Sequence, residues 1–435
     1  MVETIFAEWS SELRWDALPP RIQATVVDIV LDAAASGLAG RTQGLVAEVT
    51  PVARAFAGAE SAAARTLVDA YAITSATLCD VYRPALCHVT PVVVPPLVAV
   101  AEDGDTSGAE FLAAVAVGLE TTVRLAQALD YPALRKRGWH SPGVVGTVGA
   151  AAAVARLLRL DATGSRNAMA HGAAQAAGTF ASLGTKGVKF NQARGALAGL
   201  LAGRMGEAGL ASAANWLTHP DGGMASAYAE GGDPDALARG LGEHWELANI
   251  SLRRWPAASS VQSLIEVCLE LDAPRDNIQR VEVELGTDAF KVSGDRGWDA
   301  PLAAQQSARW VTAAVIHDRD WWLEQSAPSR ITDPELGSFA AERVHVTEVD
   351  DLGQAGVRVD VTLRDGSHVV LERETAPGDP ERPLTAAQID AKTERAAASC
   401  GLGSPAELIA RCRSLPDAQK VAPFLQLLRS AERAQ

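Results

Sequence analysis

Trp139-His-Ser-Pro-Gly-Val-Val-Gly-Thr-Val-Gly149, continued by Ala150-Ala-Ala-Ala153, is the stretch that decides the fold. Its Ser-Pro start suits the first turn of a helix, where a hydroxyl can cap and proline lacks only an N–H that would have no partner. Nothing larger than valine follows until Arg156. Such a helix can pack on neighbours only at short interaxial distance. The glycines are spaced GxxGxxG, follow no strand and lie inside the helix, so they are not a dinucleotide-binding fingerprint. Outward from here the same Ala-, Leu-, Val- and Gly-rich text, punctuated by Pro, Gly and Asp, predicts helices over 20–39, 107–128, 142–160, 166–178 and 191–209.

The text changes near residue 253. Arg280-Val-Glu-Val-Glu-Leu285 and Val357-Arg-Val-Asp-Val-Thr-Leu363 alternate β-branched with charged residues, the mark of strands with one wet face. Arg364-Asp-Gly-Ser367 supplies an Asp-Gly turn before 369–374, so 357–374 reads as a β-hairpin. Helical text covers 301–318 between the strands and returns over 384–397 and 405–415. The expected fold is therefore mainly α: a large all-helical domain built from 1–254 and 381–435, and a smaller α/β (α+β) domain over 255–380.

Composition narrows the function. The chain has 435 residues, 48% apolar and 21% charged, a globular balance, and a formal charge of −14 that duplex nucleic acid and anionic membranes would repel. The longest apolar run, 89–101, contains Pro91, Pro95 and Pro96 and falls short of the roughly 20 residues that span a bilayer. Glu3, Glu8 and Glu12 interrupt any secretory leader, which points to the cytoplasm. Five cysteines with no CxxC pair support neither a disulfide framework nor a zinc ribbon. P-loop, GxSxG and HExxH patterns are absent.

What remains is a pair of histidines. His88 in Leu86-Cys-His-Val-Thr-Pro91 and His140 in Gly138-Trp-His-Ser-Pro142 each stand within two residues of a Thr-Pro or Ser-Pro helix start. The positive end of a helix disfavours the imidazolium and keeps a ring available as a base at neutral pH. Thr185-Lys-Gly-Val-Lys-Phe-Asn191 reads as a loop carrying Lys186 and Lys189 ahead of a helix starting near Asn191, a setting for an anion. Arg253-Arg-Trp-Pro256, where the text changes, is a further cationic spot. In so acidic a chain these basic spots point to a small carboxylate. His171 reads as a packed histidine, Cys87 as a buried thiol rather than a nucleophile, and Trp310, Trp321 and Trp322 as core anchors.

These residues resemble the MmgE/PrpD family, which includes 2-methylcitrate dehydratase, cis-aconitate decarboxylase and iminodisuccinate epimerase. The resemblance covers most of the chain. It is carried by Asp80 with His88 and the proline-rich run to Glu102, Asp103-Gly-Asp-Thr-Ser-Gly108, Gly118-Leu-Glu120, the Trp139–Ala150 stretch, Thr185-Lys186 and Arg253-Arg-Trp-Pro256. It implies a helical domain with a smaller lid, a homodimer, and an interdomain site working without metal or organic cofactor. By position it implies His88, His140 and Asp80 as catalytic and Lys186 as the lysine that binds substrate; together with the cationic spots, the expected substrate-binding set is Lys186, Lys189, Arg253 and Gln262, with Lys186 facing both imidazoles. Three places depart from the family pattern: Thr77-Leu-Cys-Asp80 keeps one carboxylate of an acidic segment, Arg253-Arg-Trp-Pro256 and then Gln262 stand where members show Lys-x-Tyr-Pro and then a histidine, and Gln305-Gln-Ser-Ala-Arg309 is less apolar than in members. A glutamine cannot exchange a proton at neutral pH. The implied activity is a cofactor-independent lyase or isomerase acting next to a carboxylate through histidine acid-base chemistry. The alternatives are a non-catalytic ligand-binding or regulatory relative, and a pathway-specific cyclase on the same scaffold.

Overall fold

The structure, a computed structural model, describes residues 1–102 and 104–433. Asp103, within the 103–108 segment of the resemblance, lies outside the described residues. The chain forms two compact units, one from 1–75, 79–250 and 386–435, the other from 76–78 and 251–385. Among the described residues there are twenty α-helices and one four-stranded sheet, the mainly α class expected from the sequence.

In the first unit the helix Ser141–Leu157 is buried along nearly its whole length. Lys186–Glu207 runs parallel to it, joined by glycine contacts in step. A Cβ on Gly195 would lie 3.1 Å from the Thr147 hydroxyl, one on Gly199 2.3 Å from Ala150 Cβ, and one on Gly203 2.3 Å from a Val154 methyl. On another side Gly149 meets Thr122 of Gly108–Ala128, and Gly146 meets Val92 of Thr90–Ala101. Small residues thus let several helices close on one another, and those that approach at their first turns bring their starts together.

Buried ion pairs help to fix this unit. Lys392 of Ala386–Cys400 pairs with Asp32 of Pro20–Arg41, tying the C-terminal segment to the N-terminal one. Glu120 accepts from Arg124 Nε at 2.6 Å and from the main-chain N–H groups of Glu246 and Leu247 at 3.0 and 2.8 Å. Arg124 donates to the carbonyls of Arg239 and His244 at 2.7 Å each, so one buried pair gathers a long irregular segment onto the helix. Pro20–Arg41 is long and apolar enough to cross a bilayer by length and composition, but 72% of its apolar window is buried in this unit.

The second unit holds β1 (Ile278–Gly286), β2 (Val344–Val349), β3 (Val357–Leu363) and β4 (His368–Arg373) in the order β2-β1-β3-β4. β1 pairs parallel with β2 and antiparallel with β3, and β3 and β4 form the expected hairpin, with Gly366 at φ +83°. Val281, Val283, Leu285, Val357, Val359 and Val361 point into a core with Trp310 and Trp321. On the opposite face Arg358 bridges Glu284 and Glu372 at 2.5 and 2.9 Å. The helix expected over 301–318 is two, Pro301–Ala304 and Ala308–Asp318, because Ser307 breaks the first and caps the second.

Candidate active site

Asp80 and His88 are positioned by a tight loop closed by the Tyr82–Cys87 bridge. Asp80 is fully buried, and its carboxylate accepts from the N–H groups of Val89 and Thr90 at 2.8 and 3.0 Å and from the Thr90 hydroxyl. It therefore anchors the start of the 90–101 helix. His88 Nδ1 lies 2.6 Å from the Asp80 main-chain oxygen. A carbonyl can only accept, so Nδ1 carries a proton and this bond fixes the ring's orientation. The Asp80 main-chain oxygen thus orients the His88 ring while its carboxylate holds the helix start.

His140 precedes the 141–157 helix, and its main chain is clamped from two sides. Its N–H donates to Gly178 O at 2.9 Å while Phe180 N–H donates to Gly138 O at 2.8 Å. The 175–182 segment is held in turn from the 186–207 helix. Arg194 donates to the carbonyls of Gln175 and Ala177 at 2.9 Å each and of Gly143 at 3.2 Å, and Asn191 donates to Thr179 O at 3.2 Å. The ring is only 4% exposed, and among the described residues its Nδ1 has no hydrogen-bond partner. Burial, helped by the charge of Lys189, pushes the imidazole down to about 3 from the ordinary 6.5.

A stability signature follows. Between about pH 3 and 6.5 the unfolded chain binds a proton at residue 140 that the folded chain does not. Stability from this group is thus complete above pH 6.5 and falls by roughly 1.4 kcal/mol per pH unit below it. Urea denaturation at pH 6.5 and 5 should show a smaller loss in His140→Gln than in wild type; equal losses would place the ring in contact with water.

The two lysines separate. The helix begins at Lys186, not near Asn191, because the Thr185 hydroxyl caps it by accepting from Gly187 N–H at 3.2 Å. Lys186, expected to face both imidazoles, is instead exposed at the helix start and pairs with Glu48 at 2.6 Å. Lys189, one turn in, is 7% exposed, and its charge reaches His140. Where the 90–101, 141–157 and 186–207 helices meet, Gly195, well inside the 186–207 helix, lies against Val92, Gly143 and Thr147 near the starts of the other two, and the Cys87 thiol is a neighbour of Ser141. His88 and His140 each adjoin a partner of that thiol contact in sequence, and Lys189 sits beside the second ring.

Arg253 and Gln262 belong to the second unit. Arg253 is 3% exposed and donates to Ala257 O at 3.2 Å. Gln262 Oε1 accepts from the N–H groups of Arg254 and Trp255 at 3.1 and 3.2 Å, and its Nε2 donates to the carbonyls of Trp255 and Ala257 at 3.0 and 3.2 Å. The amide is thereby spent on holding the 253–258 turn, where the sequence reading has it binding substrate. Gln262→Ala should lower stability by about 1–3 kcal/mol in denaturant titrations, since it strands buried main-chain groups. Sequence reasoning passed over Arg194 and Gln192; their signal is polarity inside an otherwise small-residue helical run.

Residues 4–237 match the MmgE/PrpD N-terminal domain and residues 255–412 the MmgE/PrpD C-terminal domain. The chain belongs to the MmgE/PrpD family. Among individual relatives, it is 26% identical to a cis-aconitate decarboxylase-like protein, oryM, of Aspergillus oryzae, over 90% of this chain and 89% of that one. It is 24% identical to a cis-aconitate decarboxylase of Aspergillus terreus (85% and 84% covered) and 25% identical to the human cis-aconitate decarboxylase (75% and 70%).

Proposed function

We propose that the chain is a lyase or isomerase that breaks or remakes a bond next to a carboxylate of a small organic acid, with His88 and His140 exchanging the protons and Lys189 holding the acid. The observation that carries this reading is His140: a buried ring kept neutral beside a buried lysine. Without substrate the ring carries no proton at neutral pH, which supports its assignment as the base. A carboxylate seated at Lys189 offsets the lysine field, raises the imidazole towards neutrality and makes it a more effective base. The same lysine stabilises the enolate-like charge that grows as the proton leaves. His88, oriented by the Asp80 carbonyl, returns a proton to the leaving group or the opposite face. In this reading side chains alone carry the proton transfers.

The relatives named as cis-aconitate decarboxylases make cis-aconitate the first substrate to test, ahead of hydroxylated and unsaturated di- and tricarboxylates. Proton NMR of each acid with the protein should show at least one converted, with the product distinguishing loss of CO₂, loss of water and epimerisation. Binding of these acids with none converted would favour a ligand-binding relative instead.

A further inference from the structure

We propose that Gln192 is a substrate-contacting residue of this site; the inference rests on the reading of the His88, His140 and Lys189 group given above. Gln192 is 1% exposed, yet its Oε1 has no hydrogen-bond partner among the described residues. A buried amide left unmet is costly to the folded protein, and such groups persist where a ligand completes them. Its place in the helix says which ligand. Gln192 lies one turn after Lys189 and one turn before Gly195, whose Cα side touches Gly143 and Thr147 of the 141–157 helix. Residues 192, 195 and 199 share a face, so the amide is turned towards that helix. Side chains on a helix lean towards its N-terminus, which carries this amide towards the level of Lys189 and His140.

Two unmet groups, His140 Nδ1 and Gln192 Oε1, therefore belong to the stretch where the start of the 141–157 helix meets the 186–207 helix, which carries the lysine. An amide offers a donor at one end and an acceptor at the other, and it turns end over end easily. Beside a lysine-bound acid it can donate to a carboxylate oxygen or accept from a hydroxyl, adding orientation to the attraction of the lysine. The assignment also explains why a polar side chain interrupts a face otherwise made of glycines.

The test separates a ligand contact from a structural role. Gln192→Met keeps length and apolar volume but removes both hydrogen-bonding ends; Gln192→Glu keeps shape and adds a charge that opposes an acid. Tm without ligand, Kd for cis-aconitate and for citrate by calorimetry, and KM and kcat on whichever acid is turned over should be measured on wild type and both variants. The expected result for Gln192→Met is a Tm equal to or above wild type, with Kd and KM raised about 10-fold or more and kcat changed less. Gln192→Glu should weaken binding further at pH 8. Wild-type Kd and KM in both variants, or a lowered Tm with affinity retained, would overturn the assignment and leave Gln192 a packing residue. Wild-type protein that neither binds nor converts any acid would sink the reading of the whole group, and this assignment with it.

Discussion

His140→Gln is expected to lower turnover by about 10²–10⁴-fold, the usual worth of a placed acid-base group. The glutamine fills much of the ring's space and retains polarity but exchanges no proton at neutral pH. Only the chemistry should be lost. The main-chain bonds that fix position 140, from its N–H to Gly178 and from Phe180 to Gly138, do not depend on the side chain. The ring itself makes no hydrogen bond through Nδ1 among the described residues. Tm should therefore stay near wild type, and Kd for the acid should change less than kcat. A variant that keeps full turnover removes His140 from the mechanism, and one that loses binding and rate together makes it a packing element.

Lys189→Met is expected to raise KM about 10- to 100-fold, since a buried charge-assisted contact to a carboxylate is worth about 1.5–3 kcal/mol. It should also raise the His140 pKa, while burial, the larger cause of the depression, keeps it below the ordinary value. The histidine ring signals in NMR would report that shift with no substrate present. Lys186→Met is the control. Lys186 is two-thirds exposed and pairs with an equally exposed Glu48, so its removal should change KM by less than about twofold. The reverse ranking of the two lysines would restore Lys186 as the anion holder.

That pair shows what the sequence could and could not tell. The small-residue helix after Ser141-Pro142 and the Asp365-Gly366 hairpin were legible because each rests on local chemistry: a capping pair, a turn pair and an unbroken period. Both histidines were legible for the same reason, each beside a helix start. The lysines were not. Choosing between them depends on where one helix begins, and Thr185 capped it five residues ahead of the start expected at Asn191. That shift left Lys186 at the exposed end and placed Lys189 a turn inside. β2 also escaped notice, since its alternation is weak and its parallel partner β1 lies some 60 residues earlier. The clamp that Gln262 forms on its own preceding turn was not legible either, because such hydrogen bonds leave no trace in spacing.

The most direct test of the central claim is proton exchange. With the acid that binds best, the protein is incubated in D₂O and deuterium is followed at the carbon next to the carboxylate. Wild type should exchange; His140→Gln should slow exchange at least 100-fold and His88→Gln should slow conversion of the acid to product, both while still binding the acid. Exchange that persists in His140→Gln, or wild-type protein that binds the acid without exchange, would contradict the account.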